Sequence, residues 1–313
     1  MKKTIKAMLM IAVSLFLWAC EDDPPDDPAM RHYKTNSIFV LDNDVYVTGW
    51  YHPTGTSDQV SCYWVNGKLV DTYFENDAMK IAAAYGNTKK FSFNGTWKYS
   101  VSGSDLYKLN NDKCFKNNRE IEVNFDGHEF SEIRYFLYTA LFVDGDDVYI
   151  AGNVYGTYPD GEKDKLSFVW KNGESEYSGH DSYYSFFVNG ADVHGVNMHG
   201  IYHNNVLVDG TYNTGTTYGS IYVDNGNVYV LGYTGSTMIG DKEKRDYCLW
   251  INNEPTELQS EPDEVITSVF VNNGDIYLSS SYPNGGCYEY HEGSMIYYTM
   301  PCYYKNGERI DLN

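Results

Sequence analysis

Aromatic side chains gather where this chain is otherwise irregular: Trp50-Tyr51-His52, Tyr155 with Tyr158, Tyr233, Tyr282, and Tyr288 in the run Tyr288-Glu-Tyr-His291. Ring faces beside acids and amides suit stacking on sugar rings or anchoring a protein partner. The competing reading is that tyrosine, present 31 times, simply covers the ends of strands. His194, His199 and His203 fall within ten residues and raise the question of a metal. In a strand of period two, however, 194 and 199 point to opposite faces, so convergence on one ion is not expected. His194 also stands where related segments carry tyrosine, which makes it a packing residue. Asp42-Asn-Asp44 and Asp144-Gly-Asp-Asp147 lack the spaced ligands and closing bidentate carboxylate of a calcium loop, and read as hairpin turns.

No nucleophile motif, phosphate-binding glycine loop or zinc signature occurs, so no catalytic residue, metal or cofactor is expected. Glycoside hydrolysis would need two carboxylates about 5 to 10 Å apart, a pair that cannot be singled out among 43 acidic residues. Cys62, Cys248 and Cys302 share one position in separate repeats, too far apart for the roughly 5.5 Å Cα separation of a disulfide. They read as small buried hydrophobes. Cys287 and Cys302 flank one loop and form the single pair suited to a bridge. Five cysteines follow Cys20, so at least one thiol stays free.

The elements that position these residues come from an internal repeat. Ser37-Ile-Phe-Val-Leu-Asp-Asn-Asp-Val-Tyr46 recurs as Ala140 to Tyr149, Ser185 to His194, Ser220 to Tyr229 and Ser268 to Tyr277, with a weaker copy at Tyr99 to Tyr107. Successive copies of its valine, from Val40 to Val271, stand 61, 42, 45, 35 and 48 residues apart, a period near that of propellers and solenoids. A second half-unit reads Cys62-Tyr-Trp-Val-Asn-Gly67, Phe168-Val-Trp-Lys-Asn-Gly173, Cys248-Leu-Trp-Ile-Asn-Asn253 and Cys302-Tyr-Tyr-Lys-Asn-Gly307. Apolar runs joined by Asn, Asp and Gly turns predict four antiparallel strands per unit. No stretch outside the leader has a 3.6-residue apolar period, so the expected fold is all-β: a β-propeller of six four-stranded blades over 37–313. Lys80 to Tyr85 adds a strand-like stretch to the second blade, as a long connector or part of a displaced blade.

Strand order puts the turns after strands one and three on one face and the variable loops on the other. From the second strand to the third-turn asparagine the spacing is 21, 24, 24 and 30 residues in four blades but 11 in the second and fourth. An uneven, notched loop face follows, and the loop aromatics lie on it.

Residues 1–19 read as a targeting segment. Lys2, Lys3 and Lys6 precede the apolar Ala7 to Leu17, which is too short to span a bilayer. Leu17-Trp18-Ala19-Cys20 resembles a bacterial lipobox, with Cys20 as the lipidated mature N-terminus; the alternatives are an ordinary cleaved signal or an uncleaved anchor. Residues 20–36, opening Glu21-Asp-Asp-Pro-Pro-Asp-Asp-Pro28, form an acidic, disordered tether and resemble the surface-export signal of Bacteroidota lipoproteins. Without the leader lysines the net charge falls from −20 to near −23. Nucleic acid is thereby excluded, and contact with the outer membrane is expected only through the lipid.

The repeat, of the form V-Y-hydrophobic-x-G followed by Y-W-K-N-G, resembles that of uncharacterised Bacteroidota surface lipoproteins from Ser37 to Asn313. The resemblance implies architecture and address, an outer-membrane lipoprotein exposed at the cell surface. The leading functional expectation is a non-catalytic recognition propeller for a neutral glycan or a protein partner. The alternatives are a carbohydrate-active hydrolase or lyase on the same scaffold, and a structural subunit of an envelope complex.

Overall fold

The computed structural model describes residues 31–312, apart from 42, 54–57, 71–90, 95–97, 103–104, 111–112, 124–129, 178–181, 211–215 and 292–293, and apart from the side chains of 91–94, 176–177, 210 and 284–297. Its strands form six sheets in chain order. Blade 1 holds β1 (His32–Leu41), β2 (Asp44–His52), β3 (Val60–Val65) and β4 (Lys68–Val70). Blade 2 holds β5 (Phe91–Asn94), β6 (Lys98–Ser102), β7 (Asp105–Leu109), β8 (Cys114–Lys116) and β9 (Arg119–Ile121). Blade 3 comprises β10 (Glu132–Asp144), β11 (Asp147–Thr157), β12 (Lys163–Lys171) and β13 (Glu174–Tyr177). Blade 4 comprises β14 (Ser185–Asn189), β15 (Asp192–Asn197), β16 (Gly200–His203) and β17 (Val206–Gly210). Blade 5 is β18 (Thr217–Asp224), β19 (Asn227–Ile239), β20 (Lys242–Ile251) and β21 (Glu254–Glu257); blade 6 is β22 (Val265–Asn272), β23 (Asp275–His291), β24 (Ser294–Lys305) and β25 (Glu308–Asp311).

Each sheet is an antiparallel meander, so the fold is the expected all-β six-bladed propeller. Two details differ from the sequence reading. Blade 2 has a fifth strand: β5 pairs with β6 on the side away from β7 and lies against β1 and β10, toward the axis. Lys80 to Tyr85 lies outside the described residues. The first strand also begins at His32, ahead of the boundary at 37, because 32–35 pair with 49–52 beyond a bulge.

The repeated asparagine explains the turns. In all six blades it sits after the third strand in the left-handed region, at φ between 48° and 51°. Its Oδ1 accepts the N–H that opens the second strand, as Asn66 does from Val45 and Asn172 from Val148, both at 2.9 Å. Its Nδ2 donates to the preceding side chain, Asp44 or Asp147, at 2.7 and 2.6 Å. One residue thus staples two turns together on one face, a job needing both an amide and tolerance of positive φ. The glycine closing the second-strand motif has a different cause. A Cβ on Gly49 or Gly232 would stand 2.3 Å from the Lys34 carbonyl or 2.2 Å from that of Thr217, where the bulged first strand crowds its neighbour.

Around the axis the same repeat positions meet. Phe142, Phe187, Tyr222 and Phe270 follow one another with ring centroids 4.6, 4.9 and 4.5 Å apart. Just beside them the repeat serines reach sideways to the next blade. Ser185 Oγ accepts the Ile221 N–H at 3.3 Å, Ser220 Oγ that of Val269 at 3.3 Å, and Ser268 Oγ that of Ile38 at 3.0 Å. The last bond closes the ring between blades 6 and 1, with Thr35 N–H donating to Ser281 Oγ at 2.9 Å. Blade 3 has Ala140 at the serine position.

Candidate functional site

Second-strand length sets the height of each blade on the loop face. It is 9, 11, 13 and 17 residues in blades 1, 3, 5 and 6, but 5 and 6 in blades 2 and 4. Among the described residues the face is therefore lower at blades 2 and 4. Blade 1, with its aromatic edge, stands on one side of the first notch and blade 3 on the other.

In blade 1, β1 and β2 pair His32 with His52 and Lys34 with Trp50. Trp50 meets His52 edge-on at 4.9 Å, and His32 lies 6.0 Å from Trp50 and 6.2 Å from His52. His52 Nδ1 is 2.9 Å from the Asp58 carbonyl, which orients its ring. Tyr51 points the other way, against Tyr33 at 5.4 Å and beneath the Arg31 guanidinium at 4.3 Å. Successive strand residues face opposite sides, so the three-residue cluster divides into two rim residues and one packing residue.

In blade 3, Tyr155 stacks on Tyr135 at 4.5 Å and 17° across β10 and β11. Tyr135 is 54% exposed, leaving one broad face of the pair open. Tyr158 packs separately against Phe130 at 4.8 Å. Tyr233 is covered by Arg245 at 5.3 Å and meets Tyr247 edge-on. Tyr282 donates to Asp311 at 3.2 Å under Arg309 at 4.3 Å, and burial raises its phenol pKa. Tyr288 lies outside the described side chains.

The structure thus gathers Trp50 and His52 in one set and Tyr155 in another. It places Tyr51, Tyr158, Tyr233 and Tyr282 in packing contacts with rings or cations of their own blades. Sequence reading missed His32, Lys34 and Tyr135. The signal was available in principle: the start of each first strand must pair with the end of the second, so every rim aromatic has a cross-strand partner.

His194 and His203 lie in adjacent strands, not with His199, and their rings are parallel. That is stacking geometry rather than convergence on an ion. Cys62, Cys114, Cys248 and Cys302 are all buried free thiols. Cys302 is shut between strands as a small core residue, and Cys287, the partner expected for it, lies outside the described side chains.

Chemically, the notched face offers flat aromatic surface, one lysine over Trp50 at 5.3 Å, and hydroxyl and backbone groups of the strand ends. Such a set stacks and hydrogen-bonds; among the described residues no three metal-ligating side chains gather on it.

No family model matches the sequence, and no curated protein matches it. Among solved structures it is similar to a xylan beta-1,4-xylosidase from Bacillus halodurans C-125, at 13% identity over 88% of this chain and 54% of that one, with a TM-score of 0.32. It is similar also to the GH43 BlXynB protein from Bacillus licheniformis, at 10% identity over 92% and 56%, with a TM-score of 0.35. The chain spans little more than half the length of those proteins, and nothing of their activity carries over at these scores.

Proposed function

We propose that this propeller is a surface-anchored recognition module that holds a neutral glycan on its notched face without transforming it. The Tyr135–Tyr155 stack carries the reading. Two parallel rings with an open outer face form a platform for the C–H face of a sugar, and among the described residues no cation covers that face as Arg245 covers Tyr233. Trp50 and His52 supply a second aromatic edge across the low blade 2. A chain of net charge −20 repels anionic polymers, which favours neutral glycans.

The anchor belongs to the same proposal. Lipidation at Cys20 would tie the propeller to the outer membrane at the cell surface through the acidic tether. The tether enters β1 at His32, on the loop face. With 11 residues between Cys20 and His32, it reaches at most about 40 Å, at 3.3–3.6 Å per residue.

Affinity electrophoresis against soluble neutral polysaccharides tests the glycan reading. Retardation is expected for wild type and should weaken about fivefold to tenfold in Tyr135→Ala, since aromatic stacking is worth about 1 kcal/mol beyond burial. Release of reducing ends would replace the reading with an enzyme; absence of retardation, with capture of an envelope protein instead, would replace it with a protein partner. Loss of palmitate-analogue labelling in Cys20→Ser checks the anchor.

A further inference from the structure

Between blades 5 and 6 the propeller keeps an open apolar cavity of about 480 Å³. Leu249 and Ile251 of β20, Leu258 of the link between the blades, Ile266 of β22, and Ile276 and Leu278 of β23 form its walls. Asn306 and Gly307 of the last turn stand at the end facing away from the aromatic loops. The volume lies in the range of small-molecule sites.

The repeat provides its own control. The corresponding cleft between blades 3 and 4 has about 370 Å³ and is lined by Tyr149, Lys171 and Glu174. There Lys171, last residue of its strand, pairs with Asp147 at 2.8 Å and lies over Tyr149 at 5.0 Å. The same pair recurs as Lys116–Asp105 at 2.7 Å and Lys305–Asp275 at 2.9 Å. Blade 4 has His203–Asp192 at 3.0 Å, and blade 1 keeps the acid as Asp44 while its basic position is Val65. Blade 5 is the one copy to replace both partners, with Ile251 for the base and Asn227 for the acid. Asn227 Oδ1 still accepts from Asn252 Nδ2 at 2.8 Å. The turn staple is intact while the charge has been removed from the wall.

A buried carboxylate braces one wall of the cavity. Glu264, 1% exposed, accepts from Ser280 and Tyr304 hydroxyls through Oε1, both at 2.7 Å, and from the Glu261 N–H through Oε2 at 2.8 Å. It ties the interblade link to β23 and β24 beside the gap. The Tyr304 hydroxyl proton is committed to that carboxylate and offers an incoming group no free donor. Open aliphatic walls cost free energy in water in proportion to their area, and a ligand removes that cost.

We propose that this cleft binds an uncharged ligand with an aliphatic body, such as an alkyl chain without an ionised headgroup. Glu257 is the charged side chain among the lining residues, and with the acidic surface it turns anions away. No second carboxylate lines the cleft to offset the desolvation of a cation among leucine and isoleucine.

The test uses the full chain, Nile red as the uncharged probe and 1-decanol as competitor. Saturable one-site binding is expected, with decanol displacing the dye and decanoate, the same chain as an anion, at least tenfold weaker. The double variant Ile251→Lys/Asn227→Asp restores the pair the other blades carry and should keep the wild-type melting temperature while losing at least tenfold in dye affinity. Should that variant melt early, Ile251→Phe, which fills the cavity with apolar volume, must show the same loss. Unchanged dye binding in a folded variant, or decanoate binding as tightly as decanol, overturns the proposal.

Discussion

His194 and His203 lie face to face in blade 4, ring centroids 4.6 Å apart and planes within 2°, where blades 2, 3 and 6 put a tyrosine under a lysine. Asp192 Oδ1, 3.0 Å from His203 Nε2, steadies one ring of the pair. Burial first, and the neighbouring His203 second, hold His194 below the ordinary histidine value, with Asp192 opposing. The unfolded chain therefore takes this proton at a higher pH than the folded one. The stabilisation is whole above about pH 6.5, the ordinary histidine value, and is lost as the pH falls through it toward the lower folded value. His194→Tyr restores the repeat residue, so its melting temperature relative to wild type should rise between pH 7.5 and pH 5 in calorimetry. A pH-independent difference refutes the assignment.

The turn asparagines should show an order of cost set by backbone conformation. Asn172→Gly keeps the left-handed turn and loses the bond to Val148, costing about 1 kcal/mol. Asn172→Ala loses the bond and adds about 1–2 kcal/mol of left-handed strain. Urea unfolding should rank wild type, Gly, then Ala; equal midpoints for the two variants would contradict the staple.

The serine belt makes a reciprocal claim. Ser268→Ala leaves the Ile38 N–H buried without its acceptor and should cost about 1–3 kcal/mol. Ala140→Ser supplies the hydroxyl that blade 3 lacks, at the repeat position from which Ser185 accepts the Ile221 N–H of the next blade, and should gain about 0.5–1.5 kcal/mol. Chemical denaturation of the two variants reads both signs.

Four thiols should be silent in the folded protein. Burial pushes Cys114 up to about 12, and lifts Cys62, Cys248 and Cys302 in the same direction. A thiolate-specific reagent at pH 8 should leave these four unmodified until urea is added. Fast native labelling of Cys302, mapped by mass spectrometry, would place it outside the core.

The architecture was legible because the repeat prints its turns. Asn66, Asn172 and their counterparts need an amide at positive φ, and such needs leave a mark in every copy. The height of the loop face was legible for the same reason, since the spacing from Val45 to Asn66 or Val193 to Asn204 counts residues along the blade. The site was less so. Tyr51 and Trp50 are neighbours in sequence, yet strand alternation sends one inward under Arg31 and the other to the rim. Tyr135 sits 20 residues from Tyr155 and joins it only through register across β10 and β11. The apolar cleft was hidden differently: Ile251 and Asn227 look like ordinary drift until Lys171 and Asp147 are seen holding each other in the same place.

Every blade is one unbroken stretch of chain, and among the described residues no strand from one end completes a sheet at the other. The seam between blades 6 and 1 is docked through hydroxyls, as between Thr35 and Ser281, and the serine bond across it is the same bond that joins blades 4 to 5 and 5 to 6. Topologically the circle has no privileged cut. Circular permutants opened at the link before Val265 or before Thr217 should therefore fold to the same ring, with a short linker rejoining the original ends. A propeller closed by a shared strand could not be reopened so freely.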